Sequence, residues 1–142
     1  MTSHAQPRLD LVAGARPNVM KLAPVWGALR DARPVEARVI HTGQHQDAAR
    51  DADLLAAYDL PTPDLRVPFT AEQGVARLAH MRAHYGAFLA AHPADGVVVF
   101  GDVDGTLAAA QAARAHEIPV AHRSEEHTSE LQSLTNLVIP LQ

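Results

Sequence analysis

The stretch "DGVVVFGDVDGT", from Asp95 to Thr106, carries the strongest indication of the fold. Four consecutive apolar residues, Val97 to Phe100, are typical of a central strand in a parallel sheet, because such strands are buried on both faces. The glycine and aspartate residues that follow predict a tight turn, and the alanine-rich residues 106–116 predict a helix packed closely on the sheet. Asp104 is a candidate N-cap residue for that helix.

Two earlier segments also consist of a short apolar run that ends in glycine, "RLDLVAG" (8–14) and "ARVIHTG" (37–43). Each predicts a buried strand that stops at a turn. Helical spacing of apolar residues predicts further helices at Val19–Asp31, Asp47–Tyr58 and Ala71–Ala91. Strands that alternate with helices predict an α/β fold, a Rossmann-like parallel sheet with flanking helices.

Three local features refine these elements. Thr70 and Gln73 have the spacing of a capping box, which predicts that the third helix starts directly after Thr70. Pro24 lies inside the first predicted helix, so that either the first turn is separate or the helix bends there. Residues 59–68 contain three prolines and are predicted to be a loop or an irregular crossover.

Composition limits the class of protein. A chain of 142 residues, 47% of them hydrophobic and 20% charged, has the balance of one globular domain. Its net charge of -4 and its lack of a lysine or arginine run argue against nucleic acid as a partner. It contains no cysteine, no apolar leader and no run of about 20 apolar residues, so we expect a cytoplasmic protein with no membrane partner.

Polar clusters follow three of the predicted strands: "GARPN" (14–18), "TGQHQD" (42–47) and "GDVDGT" (101–106). The carboxyl ends of parallel strands meet at one edge of a sheet, where ligands bind in this fold class. Arg16 can donate two hydrogen bonds to a phosphate, and Lys21 can add a point charge, so the pair suits an anionic substrate. Equally, both can be solvated surface cations, and "GQHQD" can be only a polar turn.

Four blocks together resemble the non-hydrolysing UDP-N-acetylglucosamine 2-epimerases. They stand in the order and at the spacing of that family: "VAGARPNVMKLAPVWGAL" (12–29), "HTGQHQD" (41–47), "VVVFGDVDGTLAAAQAA" (97–113) and "IPVAH" (118–122). The resemblance runs from about Arg8 to His122. Asn18 stands where many members have glutamate.

The resemblance implies an incomplete N-terminal domain of a GT-B architecture, with the active site in a cleft between two Rossmann-like domains. Members interconvert UDP-N-acetylglucosamine and UDP-N-acetylmannosamine by elimination and re-addition of UDP, without a redox cofactor, and supply cell-surface polysaccharide synthesis. It implies that Asp102 is a catalytic carboxylate and that Arg16 and Lys21 contact the nucleotide phosphates. Gln44 and His45 would border the cleft or a nearby effector surface. We expect the parent enzyme to be a homodimer, and this chain alone to be inactive.

Two other functions are compatible with parts of the sequence. Residues 97–107 match the Asp-x-Asp-Gly-Thr signature of haloacid-dehalogenase-type phosphatases, in which Asp102 would be the nucleophile and Asp104 the acid/base beside magnesium. The motif comes late in the chain for that class. A noncatalytic UDP-sugar-binding module is the other alternative. We predict no resident metal site, since His80 and His84 have a zinc-like spacing but no evident third ligand.

Residues 123–142 depart from the family pattern, which continues after the last strand with a glutamate-containing segment. The segment "RSEEHTSELQS" (123–133) resembles a translated sequencing-library adapter. Its serines, glutamates and threonine present no apolar face at either the helical or the strand period before Leu131. We therefore expect residues 1–122 to be a partial Rossmann-like domain and residues 123–142 to be an artefactual tail, disordered or loosely attached.

Overall fold

The computed structural model describes residues 6–14, 16–31, 35–43, 48–101 and 104–123, with only the backbone described for Arg16, Pro17, Ala48 and Asp104. Within these ranges, strands and helices alternate along the chain. The strands are β1 (Arg8–Ala13), β2 (Glu36–His41), β3 (Leu65–Arg66), β4 (Gly96–Phe100) and β5 (Val120–Arg123). The helices are α1 (Arg16–Asp31), α2 (Ala48–Ala57), α3 (Gly74–Ala91) and α4 (Asp104–Ala115).

The five strands form one parallel sheet in the order β3-β2-β1-β4-β5, which confirms the predicted Rossmann-like α/β fold. β1 lies in the middle, with β2 on one side and β4 on the other. All five residues of β4 are buried, as expected for a strand covered on both faces. β5 ends at Arg123, which pairs with Phe100, so the first residue of the predicted tail 123–142 belongs to the sheet. The rest of the predicted tail, residues 124–142, lies outside the described residues.

Alternate residues of the strands pack into two apolar cores on opposite faces of the sheet. One core joins Val12, Ile40, Val97 and Val99 to α3 and α4. The other core joins the intervening strand residues to α1 and α2; it contains Leu9, Leu11, Val39, Val98 and Phe100. Full burial of each such side chain contributes about 1.5–3 kcal/mol, so the two-sided packing of the sheet is a major source of stability.

α1 is a single helix that runs through Pro24. The residues at helical spacing around the proline, Val19, Leu22, Val25 and Leu29, are buried against the sheet. Pro24 is exposed, so its ring lies on the solvent side of the helix. Of the two predicted alternatives, a separate first turn is wrong, because the helix starts at Arg16 and continues without interruption to Asp31.

The predicted start of α3 is wrong by three residues. The helix begins at Gly74, and its N-cap residue Gln73 makes no capping hydrogen bond through its side chain. The Thr70 hydroxyl instead accepts a hydrogen bond from the backbone N–H of Glu72 at 3.2 Å, which forms a local turn. Gln73 is extended, and Gly74 has a φ of 60°, so regular helical geometry cannot reach back to Ala71.

The segment between α2 and α3 was predicted to be irregular, but it contains the short strand β3. Leu65 pairs with Ile40, and Arg66 pairs with His41. Asp64 fixes the entry into this strand, because its backbone N–H donates to Val39 O at 2.8 Å and its carboxylate accepts from Val39 N at 2.9 Å. Prolines before and after Asp64 limit the strand to two residues.

A buried ionic cluster lies on the α3 face of the sheet, away from the carboxyl ends of the strands. It consists of Asp10 on β1, Arg38 on β2 and Tyr85 on α3, joined by hydrogen bonds. Within the described part of the chain, no helix has both the length and the apolar character needed to cross a membrane.

Candidate functional site

The candidate site lies where the carboxyl ends of β1 and β4 meet. These neighbouring strands lead into helices on opposite faces of the sheet, β1 into α1 and β4 into α4. The edge where they diverge is the switch point of the sheet, which is the usual ligand position in this class of fold. The amino ends of α1 and α4 both lie at this edge, and their helix dipoles favour a negatively charged group.

Two of the five predicted site residues, Arg16 and Lys21, lie in the part of the chain that the structure describes. Arg16 is the first residue of α1, so its backbone lies at this edge of the sheet. Lys21 lies in the second turn of α1 and is half-buried. Asp102, Gln44 and His45 lie outside the described residues, although their neighbours Gly101 and Gly43 are described.

Asn18 and Gly101 bring the start of α1 and the end of β4 into direct contact. Asn18 is buried, and its carboxamide occupies the space that a Cβ at position 101 would require. Gly101 also has a φ of 92°, a left-handed conformation that glycine adopts without steric cost. A larger residue at position 101 would therefore have to displace Asn18 and adopt a strained backbone. The contact joins the first turn of α1, which begins at Arg16, to the residue that directly precedes Asp102 in the sequence.

The carbonyl oxygen of Gly101 accepts two hydrogen bonds from side chains. The Thr106 hydroxyl on α4 donates at 3.3 Å, and Nε2 of His122 on β5 lies at 2.8 Å. Since a carbonyl oxygen only accepts, Nε2 of His122 carries the proton in this contact. The contact of His122 with the residue before Asp102 was not apparent from the sequence.

The turn after β2 packs closely against the turns after β1, β3 and β4. The backbone N–H of Thr42 donates to Ala13 O at 3.1 Å, and the Thr42 side chain packs on Gly105, where an added Cβ would lie 2.8 Å from the Thr42 Cβ. Gly43, with a φ of 71°, lies against the backbone carbonyl of Val67. The buried Thr42 hydroxyl has no hydrogen-bond partner among the described residues. These contacts hold the base of the loop that contains Gln44 and His45.

A second polar cluster lies beside this turn and was not found by sequence reasoning. His41 is buried, and its Nδ1 accepts a hydrogen bond from the backbone N–H of Gly43 at 3.0 Å. Its Nε2 therefore carries the proton and lies 3.8 Å from the Asp51 carboxylate. Arg66 donates to the same carboxylate oxygen at 2.6 Å. The only sequence signal is a histidine at the end of an apolar run, and its partners come from α2 and β3.

A cleft of about 280 Å³ opens beside Gly101, between α4 and β5. Its apolar wall includes Val99, Ala110 and Val120, and its polar rim includes Arg114 and His122. Among the described residues, no group of three or more histidine, aspartate or glutamate side chains could hold a metal ion.

Comparison with known proteins shows which family the chain matches. The family model described as UDP-N-acetylglucosamine 2-epimerase matches residues 27–125. A "UDP-N-acetylglucosamine 2-epimerase homolog" from Methanococcus maripaludis is 33% identical, over 81% of this chain and 32% of the relative. The UDP-2,3-diacetamido-2,3-dideoxy-D-glucuronate 2-epimerase of Pseudomonas aeruginosa is 28% identical, over 78% of this chain and 31% of the relative.

The fold also matches solved structures. The crystal structure of Methanocaldococcus jannaschii UDP-GlcNAc 2-epimerase, in complex with UDP-GlcNAc and UDP, superimposes with a TM-score of 0.74 and 30% sequence identity. The superposition covers 81% of this chain and 32% of that enzyme. The predicted fold, part of a GT-B architecture, is thereby confirmed. The chain spans about a third of the length of the relatives that it matches.

Proposed function

Since this chain belongs to the UDP-N-acetylglucosamine 2-epimerase family, we propose that it forms one wall of the active-site cleft in a UDP-sugar 2-epimerase. The proposed reaction interconverts UDP-N-acetylglucosamine and UDP-N-acetylmannosamine. The observation that carries the proposal is the contact between Asn18 and Gly101, because it joins the first turn of α1 to the end of β4 at the switch point. A substrate bound at the switch point would meet both of these elements at once.

The proposed chemistry is an elimination followed by an addition. A base removes the proton from C2 of the sugar, the bond from C1 to the UDP oxygen breaks, and a C1–C2 double bond forms. UDP then adds back to C1 while a proton is delivered to the opposite face of C2. Atoms and charge balance without an external oxidant or reductant. The route needs an acid/base carboxylate at C2 and cations that stabilise the leaving diphosphate.

The residues of this chain can supply part of that machinery. We assign Asp102 as a catalytic carboxylate, because it directly follows the Gly101 turn at the switch point. Arg16 and Lys21 would contact the diphosphate, which the amino end of α1 also favours electrostatically. Gln44 and His45 would border the cleft above the Thr42–Gly43 turn.

The remainder of the site would come from outside this chain. The relatives are about three times as long as the part that the chain matches, so we propose a parent enzyme with a second Rossmann-like domain on the other side of the cleft. We further propose that the parent enzyme is a cytoplasmic homodimer. On its own, the chain would expose a half-site, and we expect neither turnover above a no-enzyme control nor micromolar affinity for UDP.

The experiment that tests this function follows exchange at C2. The complete enzyme that contains this chain is incubated in D₂O with UDP-N-acetylglucosamine, and proton NMR follows loss of the C2 proton and appearance of the manno epimer. We expect both signals in the wild type, and a strong loss of both in Asp102→Asn. UDP-2,3-diacetamido-2,3-dideoxy-D-glucuronate is tested in parallel, because one relative is named for that substrate. If the complete enzyme exchanges the C2 proton of neither UDP-sugar, the proposal is contradicted.

The phosphatase alternative is tested in the same preparation. The family match includes residues 102–104, so membership accounts for this motif without a phosphatase. Magnesium-dependent release of phosphate that is abolished by Asp102→Asn, without any C2 exchange, would favour the phosphatase.

A further inference from the structure

Gly101, the residue before Asp102, is contacted by groups from three elements. Asn18 of α1 packs against the Gly101 Cα, where no side chain can be accommodated. Thr106 of α4 and His122 of β5 approach the Gly101 carbonyl oxygen, at 3.3 Å and 2.8 Å. These contacts fix the orientation of the Gly101 carbonyl group, which directly precedes Asp102 in the sequence.

His122 is suited to this task by its place in the sheet. It pairs in register with Val99 on β4, and its ring reaches along the neighbouring strand to Gly101. The residue is exposed, so burial does not force its imidazole to find a partner. The histidine binds the first carbonyl group beyond β4.

We propose that His122 is a positioning residue for the epimerase reaction, which acts through the Gly101 carbonyl to fix the end of β4 directly before Asp102. The inference rests on the proposed function, since it assigns His122 a task only if Asp102 is catalytic. It does not require contact between His122 and the sugar.

The position of the proton provides a direct test on this chain. Donation to a carbonyl oxygen requires hydrogen on Nε2, so long-range proton–nitrogen NMR of the His122 ring should show the Nε2–H tautomer when the ring is neutral. In His122→Leu, the amide resonances of Gly101 and Asp102 should shift, whereas His116→Gln, a change in an exposed histidine beyond α4, should leave them in place. Unchanged resonances in His122→Leu would overturn the inference.

Kinetics of the complete enzyme distinguish positioning from general stability. We expect kcat of His122→Leu to fall about ten- to hundredfold, while KM stays within about twofold, because a misplaced catalytic group impairs the chemical step more than binding. His122→Gln should recover most of kcat, since the glutamine amide can donate a hydrogen bond from a similar position. His116→Gln is the matched control.

The outcomes separate the two proposals. An active wild type with full activity in His122→Leu would overturn the positioning role and leave the proposed function intact. An equal loss of kcat in His122→Leu and His122→Gln would also overturn it, because donation from the side chain would then be irrelevant. An inactive wild type would contradict the proposed function itself, and the positioning role would fall with it even if the NMR contact were present.

Discussion

The guanidinium group of Arg38 donates two hydrogen bonds to the carboxylate of Asp10, from Nε to Oδ1 at 2.6 Å and from Nη2 to Oδ2 at 3.1 Å. The two residues pair in register on β2 and β1, and both are buried. The Tyr85 hydroxyl donates to Asp10 Oδ2 at 2.6 Å, and Arg38 also donates to His92 O at 2.9 Å. The core therefore contains an ion pair whose charged atoms make hydrogen bonds with groups on β1, β2 and α3 and with the His92 carbonyl after α3.

Removal of one partner from this pair should destabilise the fold severely. In Arg38→Met, the carboxylate of Asp10 remains buried without its counter-charge, and we expect the free energy of unfolding to fall by about 3–5 kcal/mol. Urea unfolding monitored by circular dichroism measures the change.

Glu36→Gln is the control, because it breaks the Arg8–Glu36 pair at 3.2 Å, in which the Glu36 side chain is 46% exposed. Exposed pairs contribute about 0–1 kcal/mol. If Arg38→Met and Glu36→Gln lost similar amounts of unfolding free energy, the Asp10–Arg38 pair would not be a buried, stabilising pair.

Tyr85 should make stability depend on alkaline pH. Burial raises the pKa of Tyr85 well above its usual value, and the neighbouring Asp10 carboxylate raises it further. The folded state thus holds the phenol proton more tightly than the unfolded state. The resulting stability is fully present below about pH 10, the pKa of an unfolded tyrosine, and is lost as the pH rises towards the folded pKa.

The comparison of wild type with Tyr85→Phe isolates this effect, since the two proteins share all other ionisable groups. Below pH 10 we expect the variant to be less stable by about 1–3 kcal/mol, because it lacks the hydrogen bond to Asp10. The difference should shrink as urea unfolding is repeated at higher pH. A difference that stays constant up to pH 11 would show that Tyr85 ionises equally in both states.

The sequence could predict the position of this cluster only in part. Asp10 is visible as a carboxylate inside the apolar run "RLDLVAG", but its partners lie 28 and 75 residues away in sequence. Strand register and the approach of α3 bring them together, and neither follows from local periodicity. The apolar runs themselves predicted β1, β2 and β4 well, because burial on both faces leaves a continuous signal.

Gly43 should tolerate no side chain. In Gly43→Ala, the new Cβ would overlap the Val67 carbonyl, and the φ of 71° is unfavourable for alanine. We expect a loss of at least about 1–3 kcal/mol from backbone strain, with the steric overlap in addition. Thermal and urea unfolding provide the measurement.

Gly27→Ala is the matched control for that substitution. Gly27 lies inside α1, and an added Cβ would meet nothing within 4 Å. Alanine in a helix interior is favoured over glycine by about 0.5–1 kcal/mol, so this variant should be more stable than wild type. If Gly43→Ala were as stable as wild type, the described geometry of the Gly43 turn would be wrong.

The cleft between α4 and β5 should bind an apolar dye in the isolated chain. Leu107 lines the cleft and is 50% exposed beside Val99 and Val120. We expect fluorescence of 8-anilinonaphthalene-1-sulfonate to increase with wild type and to increase much less with Leu107→Lys. Val75→Lys, at a residue that is 81% exposed near the start of α3, should leave the signal unchanged. Equal signals from all three proteins would place dye binding elsewhere.

The features that the sequence could not predict are mainly the short strand β3 and the side-chain contacts at the switch point. β3 contains only two residues between prolines, which is too short for a period-two pattern. The contacts of Asn18 and His122 with Gly101 depend on the crossover from β3 to β4 and on the pairing of β5. The sequence could still indicate the site region, because glycine and polar residues follow three strands whose carboxyl ends share one edge.

The central place of β1 also has a consequence for folding during synthesis. β1 is made first, yet one of its two neighbours, β4, begins only at Gly96, and the β1 amide of Arg8 awaits the carboxylate of Asp95 at 2.7 Å. At about 5–20 residues per second, the ribosome needs on the order of several seconds to supply the chain between His41 and Gly96. During that interval the β1 edge that later pairs with β4 has no partner strand, and an unpaired edge of this kind can pair with another chain.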